Sequence, residues 1–300
     1  MGNRPRISMR AGQIDRKLQQ AYPLIFKANQ LAIVFAKQRK VWNLPKSMNF
    51  NAFVEGLISE GIVKEVMLDF GADWFDFYIL PDISIYHLAS YGVSKAYLSH
   101  HSALWLWGLI EKEGEVIYIN QEQSAAPSKS KKSSFTQAAI DNAFSHERKM
   151  SNSRTKFDGF EFVLLKSKAT SMLGVREIGN AKKERAKVTD VERTLIDCVV
   201  RAAYVGGAGE VVKAFFLARK KDIVDIGLLA DYLQELDYAY PYQQSIGFYL
   251  QMAGNYSKQE MEHFEQQEMK YDFYLEYAME DKVYDKHWRI YYPADLLPVS

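Results

Sequence analysis

The residues with the plainest chemical meaning are cations. The first fifty positions hold ten Lys/Arg and a single acid, Asp15. Such an excess of fixed positive charge displaces counterions from nucleic-acid phosphates and is the electrostatic footprint of a duplex-binding surface. The candidate contacts are Arg4, Arg6 and Arg10 in an N-terminal arm, Lys37, Arg39 and Lys40 around a helical repeat, and Lys46, Ser47, Asn49 and Asn51 where a further helix begins. From Lys221 to Ser300 the balance reverses, with acids outnumbering bases more than two to one, so the whole chain carries only +1.

Other reactive types are sparse. Six histidines and one cysteine, Cys198, show no spacing that suits a metal. His100 and His101 are neighbours, and adjacent side chains on a helix diverge by about 100°, which prevents a shared ligand. A structural or capping role is the expectation for both. Cys198 falls on an apolar stripe and reads as a small buried hydrophobe. Asp158, Glu161 and Lys166 form an acid–acid–lysine group across a strand, but at separations that do not suit nuclease chemistry. Gly206-Gly207 continue into Ala208-Gly209 without a lysine, so they make no phosphate-binding loop. No catalytic residue, metal or cofactor is expected.

Hydrophobic content of 48% over 300 residues suits a folded protein of one large or two smaller domains. No apolar run approaches the ~20 residues that span a bilayer, and Met1 to Arg10 has no signal-peptide core. A lone cysteine fits a reducing compartment. The expectation is a cytoplasmic protein with no membrane partner. Tyrosine is frequent at 19, which suits wet interfaces as well as cores and decides nothing.

The cations need elements to present them. Ile14, Leu18 and Ala21 keep helical spacing up to Pro23, and Leu24, Ala28, Leu31, Ala32 and Phe35 repeat it. Pro45 ends the connection that follows. Ser47 or Asn49 is placed to cap a third helix, with the stripe Phe50, Phe53, Val54, Leu57 and Ile58 and with Gly61 to stop it. Ile62 to Phe70 and Trp74 to Leu80 are rich in β-formers around a turn at Gly71-Ala72-Asp73. Three helices and a hairpin make the order of a winged helix-turn-helix, predicted over residues 1–82. Its third helix would offer Asn49, Ala52, Glu55, Gly56 and Ser59 to a major groove. Asp69 and Asp73 make the hairpin tip negative, so the tip is not expected to enter a groove. The plainer alternative is a small helical domain with a solvated basic surface.

Pro81 to Val93 reads as a connection to a larger mixed α/β domain over residues 90–300, giving an α+β fold class for the whole. Ser99 is placed to cap a helix packing Ala103, Leu104 and Trp107, closed by Gly108. Val116 to Ile119 is a strand, Ser128 to Ser134 an exposed basic loop, Phe135 to Phe144 a helix and Phe160 to Leu165 a strand. In TDVERTLIDCVVRAAYVGG, Thr189 and Glu192 have the spacing of a capping box, worth about 1 kcal/mol. Val191, Leu195, Cys198, Val199 and Ala202 make its buried stripe. Asp197 stands four residues from both Arg193 and Arg201 and is able to pair with either. Gly206 and Gly207 are placed to end that helix, and a second runs from about Glu210 to Arg219. YAYPYQQSIGFYLQMAG breaks at Pro241 and then reads as a helix. Tyr271 to Leu275 and Trp288 to Tyr292 read as late strands.

YLSHHSALWLWGL, VIYIN with NQEQ, TDVERTLIDCVVR with YVGG, and YPYQQSIGFYLQMAG follow one another in this order. Together they resemble the AbiEi family of abortive-infection antitoxins, over most of the chain from about residue 15. The resemblance implies an N-terminal winged helix joined to a C-terminal antitoxin domain. It further implies an antitoxin of a type IV toxin–antitoxin pair, which represses its own operon by binding promoter DNA and counteracts a nucleotidyltransferase toxin. The family carries no catalytic residues to transfer. Two other readings stand beside it: a nucleic-acid-processing nuclease, and a pure interaction module whose acidic domain grips a basic partner.

Overall fold

The structure, a computed structural model, describes residues 6–124, 136–266 and 268–299. Arg4 and the Ser128–Ser134 loop lie outside the described residues. The first helix, α1 (Arg6–Leu18), buries Ile7, Ile14 and Leu18. Arg6 to Met9 are therefore helix rather than arm. The short strand β1 (Ile25–Phe26) precedes α2 (Ala28–Gln38), so the predicted second helix starts four residues later than Leu24. The reason is tertiary: Ile25 and Phe26 pair with Ile79 and Tyr78 of the hairpin.

The third helix, α3 (Phe50–Ser59), is capped by Asn49 rather than Ser47; its Oδ1 accepts from the Ala52 N–H at 2.9 Å. Gly61 ends it at φ +66°. Strands β2 (Lys64–Asp69) and β3 (Trp74–Ile79) follow as an antiparallel hairpin, in a sheet ordered β1-β3-β2. Phe53 lies at the centre of this unit's core, stacked on Phe35 at 4.7 Å and on Trp42 at 6.0 Å.

Residues 81–93 hold a helix rather than a plain connection. Ser84 caps α4 (Ile85–Gly92) by accepting from the His87 N–H at 3.0 Å. Thereafter come β4 (Ala96–Leu98), α5 (His100–Trp107), β5 (Val116–Glu122), α6 (Gln137–Phe144), β6 (Arg154–Phe157), β7 (Phe160–Ser167), β8 (Val175–Ile178) and β9 (Ala186–Thr189). These six strands form one mixed sheet ordered β6-β7-β5-β4-β9-β8. Val66, Leu68, Phe77 and Ile79 from the hairpin share one apolar cluster with Leu88 and Ala89 of α4 and with Leu98, Ile119 and Phe162 of the mixed sheet. The inner hairpin face is thus buried against the rest of the chain.

The remainder is helical: α7 (Val191–Val200), α8 (Ala208–Lys220), α9 (Ile226–Leu236), α10 (Tyr242–Ala253) and α11 (Lys258–Glu265), followed by the small sheet of β10 (Phe273–Tyr274), β11 (Lys282–Asp285) and β12 (Ile290–Pro293). The architecture is a mixed α+β fold.

Helix α7 is buried over every position from Val191 to Val199, its charged residues included. Its cap is Asp190, one residue later than expected, whose Oδ1 accepts from the Arg193 N–H at 3.1 Å. Thr189 belongs to β9, and Glu192 instead accepts from the Asp225 N–H at 2.8 Å, at the start of α9. Gly206 and Gly207 do not end α7, which stops at Val200. At φ +98° and +102° they shape the turn into α8.

In α10, a Cβ on Gly247 would collide with the Trp288 ring. The Gln244 amide donates to the carbonyls of Trp288 at 2.8 Å and Tyr271 at 3.0 Å. Packing thus accounts for two residues of the QQSIG segment.

Candidate nucleic-acid interface

Between Asp15 and Glu55 the chain contains no acid and seven cations: Arg16, Lys17, Lys27, Lys37, Arg39, Lys40 and Lys46. The end of α2, the turn after it and the start of α3 carry the last four. Lys37, Lys40 and Lys46 are exposed, as are Ser47, Asn49 and Asn51. Arg6 joins them: its Nη1 donates to the Asn43 carbonyl at 3.3 Å, which brings the start of α1 to the same turn. Arg10 lies further along α1 and is half-buried.

Two candidates are already committed to structure. Arg39 donates through Nε and Nη2 to the Pro45 carbonyl, at 3.1 and 2.5 Å, and its guanidinium lies 5.5 Å from the Phe35 ring centre. It clamps the turn between α2 and α3. Asn49 uses its side-chain oxygen as the cap of α3 and keeps only its amide donors free for another partner.

The charge along α3 is graded. Lys46 precedes its first turn, where the unpaired backbone N–H groups also favour anions, while Glu55 and Glu60 lie towards its far end. Both effects make the N-terminal end of α3 its more electropositive end. Gly56, expected on the reading face, faces α1 instead, because a Cβ there would run into the Ile7 side chain.

The hairpin has the opposite character. Asp73 at its tip pairs with Lys166 of β7 at 2.9 Å, and Lys166 also donates to Gln121 of β5 at 2.5 Å. The tip is held back against the mixed sheet. The outer hairpin face presents Glu65, Asp69 and Asp76 beside Met67 and Trp74, which are 62% and 65% exposed.

A polar cluster fixes the helical unit to its neighbours. The Tyr22 hydroxyl donates to Glu177 Oε2 at 2.6 Å, Tyr91 donates to the same oxygen, and Arg185 reaches Oε1 at 3.1 Å. Hydrogen bonds from Tyr22 and Tyr91, helped by Arg185, hold the Glu177 carboxyl below its usual range.

The other reactive residues fall where their surroundings quench them. His100 is buried, and desolvation pushes it down to about 4, so it is neutral; its Nδ1 lies 2.8 Å from the Ser99 hydroxyl. Burial also lowers His101 and raises the Cys198 thiol. Asp158 sits in the β6–β7 turn at φ +51°. Glu161 pairs with Arg154 at 3.1 Å. An odd separation puts Glu161 and Lys166 on opposite faces of β7, so the trio does not converge. Among the described residues, no three His, Cys, Asp or Glu side chains are grouped to hold a metal ion. No helix among them is long and apolar enough to cross a membrane.

No protein-family model matches this chain, and no curated protein matches it in sequence. A solved structure, that of the RV2827C protein from Mycobacterium tuberculosis, has a similar fold. The TM-score is 0.54 at 12% identity, over 96% of this chain and 92% of that one. At that identity the likeness concerns the fold alone, and it extends across both the helical front and the mixed domain behind it.

Proposed function

We propose that residues 6–80 form a winged helix-turn-helix and bind duplex DNA, with α3 as the element presented to the major groove. The single observation that carries this reading is the acid-free cationic run from residue 16 to residue 54, folded so that Lys37, Lys40 and Lys46 stay exposed beside the start of α3. The element order supports it: α1, β1, α2, α3, then the β2–β3 hairpin, with β1 paired to β3. The wing does not follow the phosphates in this proposal, since its tip is negative and pinned by Lys166.

The resemblance of the later segments to AbiEi antitoxins extends the proposal. The chain acts as a repressor of its own operon and as the antitoxin of a type IV pair that counteracts a nucleotidyltransferase toxin. Mobility shift against the upstream promoter, titrated with salt, tests the repressor role. Sequence-selective binding whose log affinity falls linearly with log salt is expected. Absence of binding at low salt, or indifference to sequence, would sink it.

One observation favours a second reading, a protein-interaction module. Met67 and Trp74 stand exposed among three carboxylates on the outer hairpin face, which suits a basic protein partner better than a nucleic acid. Co-purification with the product of the adjacent gene, abolished by Trp74→Ala, tests it.

A further inference from the structure

A cavity of about 410 Å³ opens between the second half of α7, the ends of β5 and β7, and the α9–α10 loop. Its volume lies in the range of small-molecule sites, about 300–1,000 Å³. Three cations at its edge, Arg148, Lys168 and Arg201, have no carboxylate within ion-pair distance among the described residues. Arg148 and Arg201 rest instead against aromatic rings, 5.3 Å from the Tyr277 centre and 5.7 Å from the Tyr204 centre. Tyr238 of the α9–α10 loop and Tyr242 at the start of α10 line another wall.

The lining also includes acceptors. Arg193 and Asp197 are buried as a pair at 2.9 Å, yet Asp197 Oδ2 has no partner. Asn120, 5% exposed, spends its amide on the Tyr97 hydroxyl at 3.2 Å and leaves its Oδ1 unpartnered. Burying such oxygens unpaired is costly, and a ligand bearing N–H or O–H groups would satisfy them. A bare anion would instead meet the Asp197 carboxylate with like charge. A ligand with negative charge at one end and N–H or O–H donors at the other would answer both features.

We propose that this cavity binds a nucleoside phosphate. Arg148, Lys168 and Arg201 take the phosphate, Tyr238 and Tyr242 contact the ring system, and Asp197 and Asn120 accept from its donors. The site is separate from the cationic face at α3.

Calorimetry with the full chain tests this, using the common ribonucleoside mono- and triphosphates, the parent nucleosides and inorganic phosphate. At least one nucleoside phosphate is expected to bind, and the Lys168→Ala/Arg201→Ala variant to weaken it about tenfold or more. The Lys37→Ala/Lys40→Ala/Lys46→Ala variant is expected to keep nucleotide binding while binding DNA more weakly, which separates this proposal from the repressor reading. No binding at millimolar nucleotide overturns it. So does inorganic phosphate binding as well as any nucleotide, and so does affinity unchanged in the Lys168/Arg201 variant with its circular dichroism intact.

Discussion

The helical front and helix α7 use charge in opposite ways. At the front, Lys37, Lys40 and Lys46 stand in water with no acid between residues 16 and 54. In α7, Arg193 and Asp197 are withdrawn from water together, with side chains 3% and 6% exposed. Desolvation pulls the Arg193 guanidinium down, and Asp197 together with Tyr97 and Tyr238 more than offsets it, so the group stays above its usual value. A buried pair is a structural commitment, because either member alone is an uncompensated charge. An exposed, unpaired cation adds little to folding and remains available to a partner. Charge counts do not separate the two cases, but burial and partners do.

The strongest test of the contrast is to remove one member of the buried pair. Asp197→Ala leaves Arg193 charged and buried with no counter-ion, its Nη1 held by the Leu173 carbonyl at 3.1 Å, and is expected to cost about 3–5 kcal/mol of stability. Denaturant unfolding reads this directly. An unfolding midpoint unchanged within error would mean that water reaches Arg193 and that α7 is less enclosed than described.

The front is expected to respond through binding rather than folding. The Lys37→Ala/Lys40→Ala/Lys46→Ala variant should unfold within about 0.5 kcal/mol of the parent, as exposed substitutions do. Its salt dependence on DNA should flatten by about 0.9 for each phosphate that is no longer neutralised, or about 2.7 for three. Arg39→Ala is the internal control. Without the Pro45 clamp, stability should fall by about 1.5–3 kcal/mol, the worth of a hydrogen bond from a charged group. If Arg39→Ala flattens the salt slope without touching stability, Arg39 belongs with the free cations.

The front's side of this contrast is legible in the sequence, the burial of the α7 pair is not, and the illegible part has a consistent cause. The front could be read because its signals are local: apolar spacing, the Asn49 cap, Gly61, and a charge run uninterrupted by acids. Helix α4 is not legible between Pro81 and Val93 although Ser84 offers a cap, because eight residues leave little periodicity. The α7 cap lies one residue beyond the one its spacing predicts, because Thr189 and Glu192 satisfy the spacing rule while Asp190 gains tertiary support from Arg176 and Tyr232 at 3.2 and 3.0 Å. Arg148 and Lys168 gave no signal, since they reach one cavity from separate elements. In the sequence Arg39 looks like its neighbours Lys37 and Lys40, and the Pro45 carbonyl and the Phe35 ring distinguish it.

A smaller effect sharpens how the two regions are joined. Glu177 has a folded value below its unfolded one, because Tyr22, Tyr91 and Arg185 favour the carboxylate. Its contribution is therefore complete above the ordinary carboxylate range and is lost as pH falls through the lowered value. Unfolding followed from about pH 6 to about pH 3 should show stability falling towards acid. The Tyr22→Phe/Tyr91→Phe variant should show a shallower fall, since Glu177 then titrates nearer its unfolded value. Parallel acid limbs in the two proteins would remove this cluster from the account of docking.

The least costly contact is the one that decides what the hairpin does. Asp73 and Lys166 are 35% and 34% exposed, so their pair is worth about 0–1 kcal/mol and breaking it should barely move the unfolding midpoint. Its positional effect is larger, because it holds a negative tip against β7 and β5 and away from any duplex lying along α3. Asp73→Asn should therefore speed amide exchange around the 70–73 turn while leaving the salt slope of DNA binding unchanged. If neutralising Asp73 instead raises DNA affinity and steepens the slope by about one phosphate's worth, the tip reaches the duplex and the hairpin belongs to the cationic front rather than to the mixed sheet.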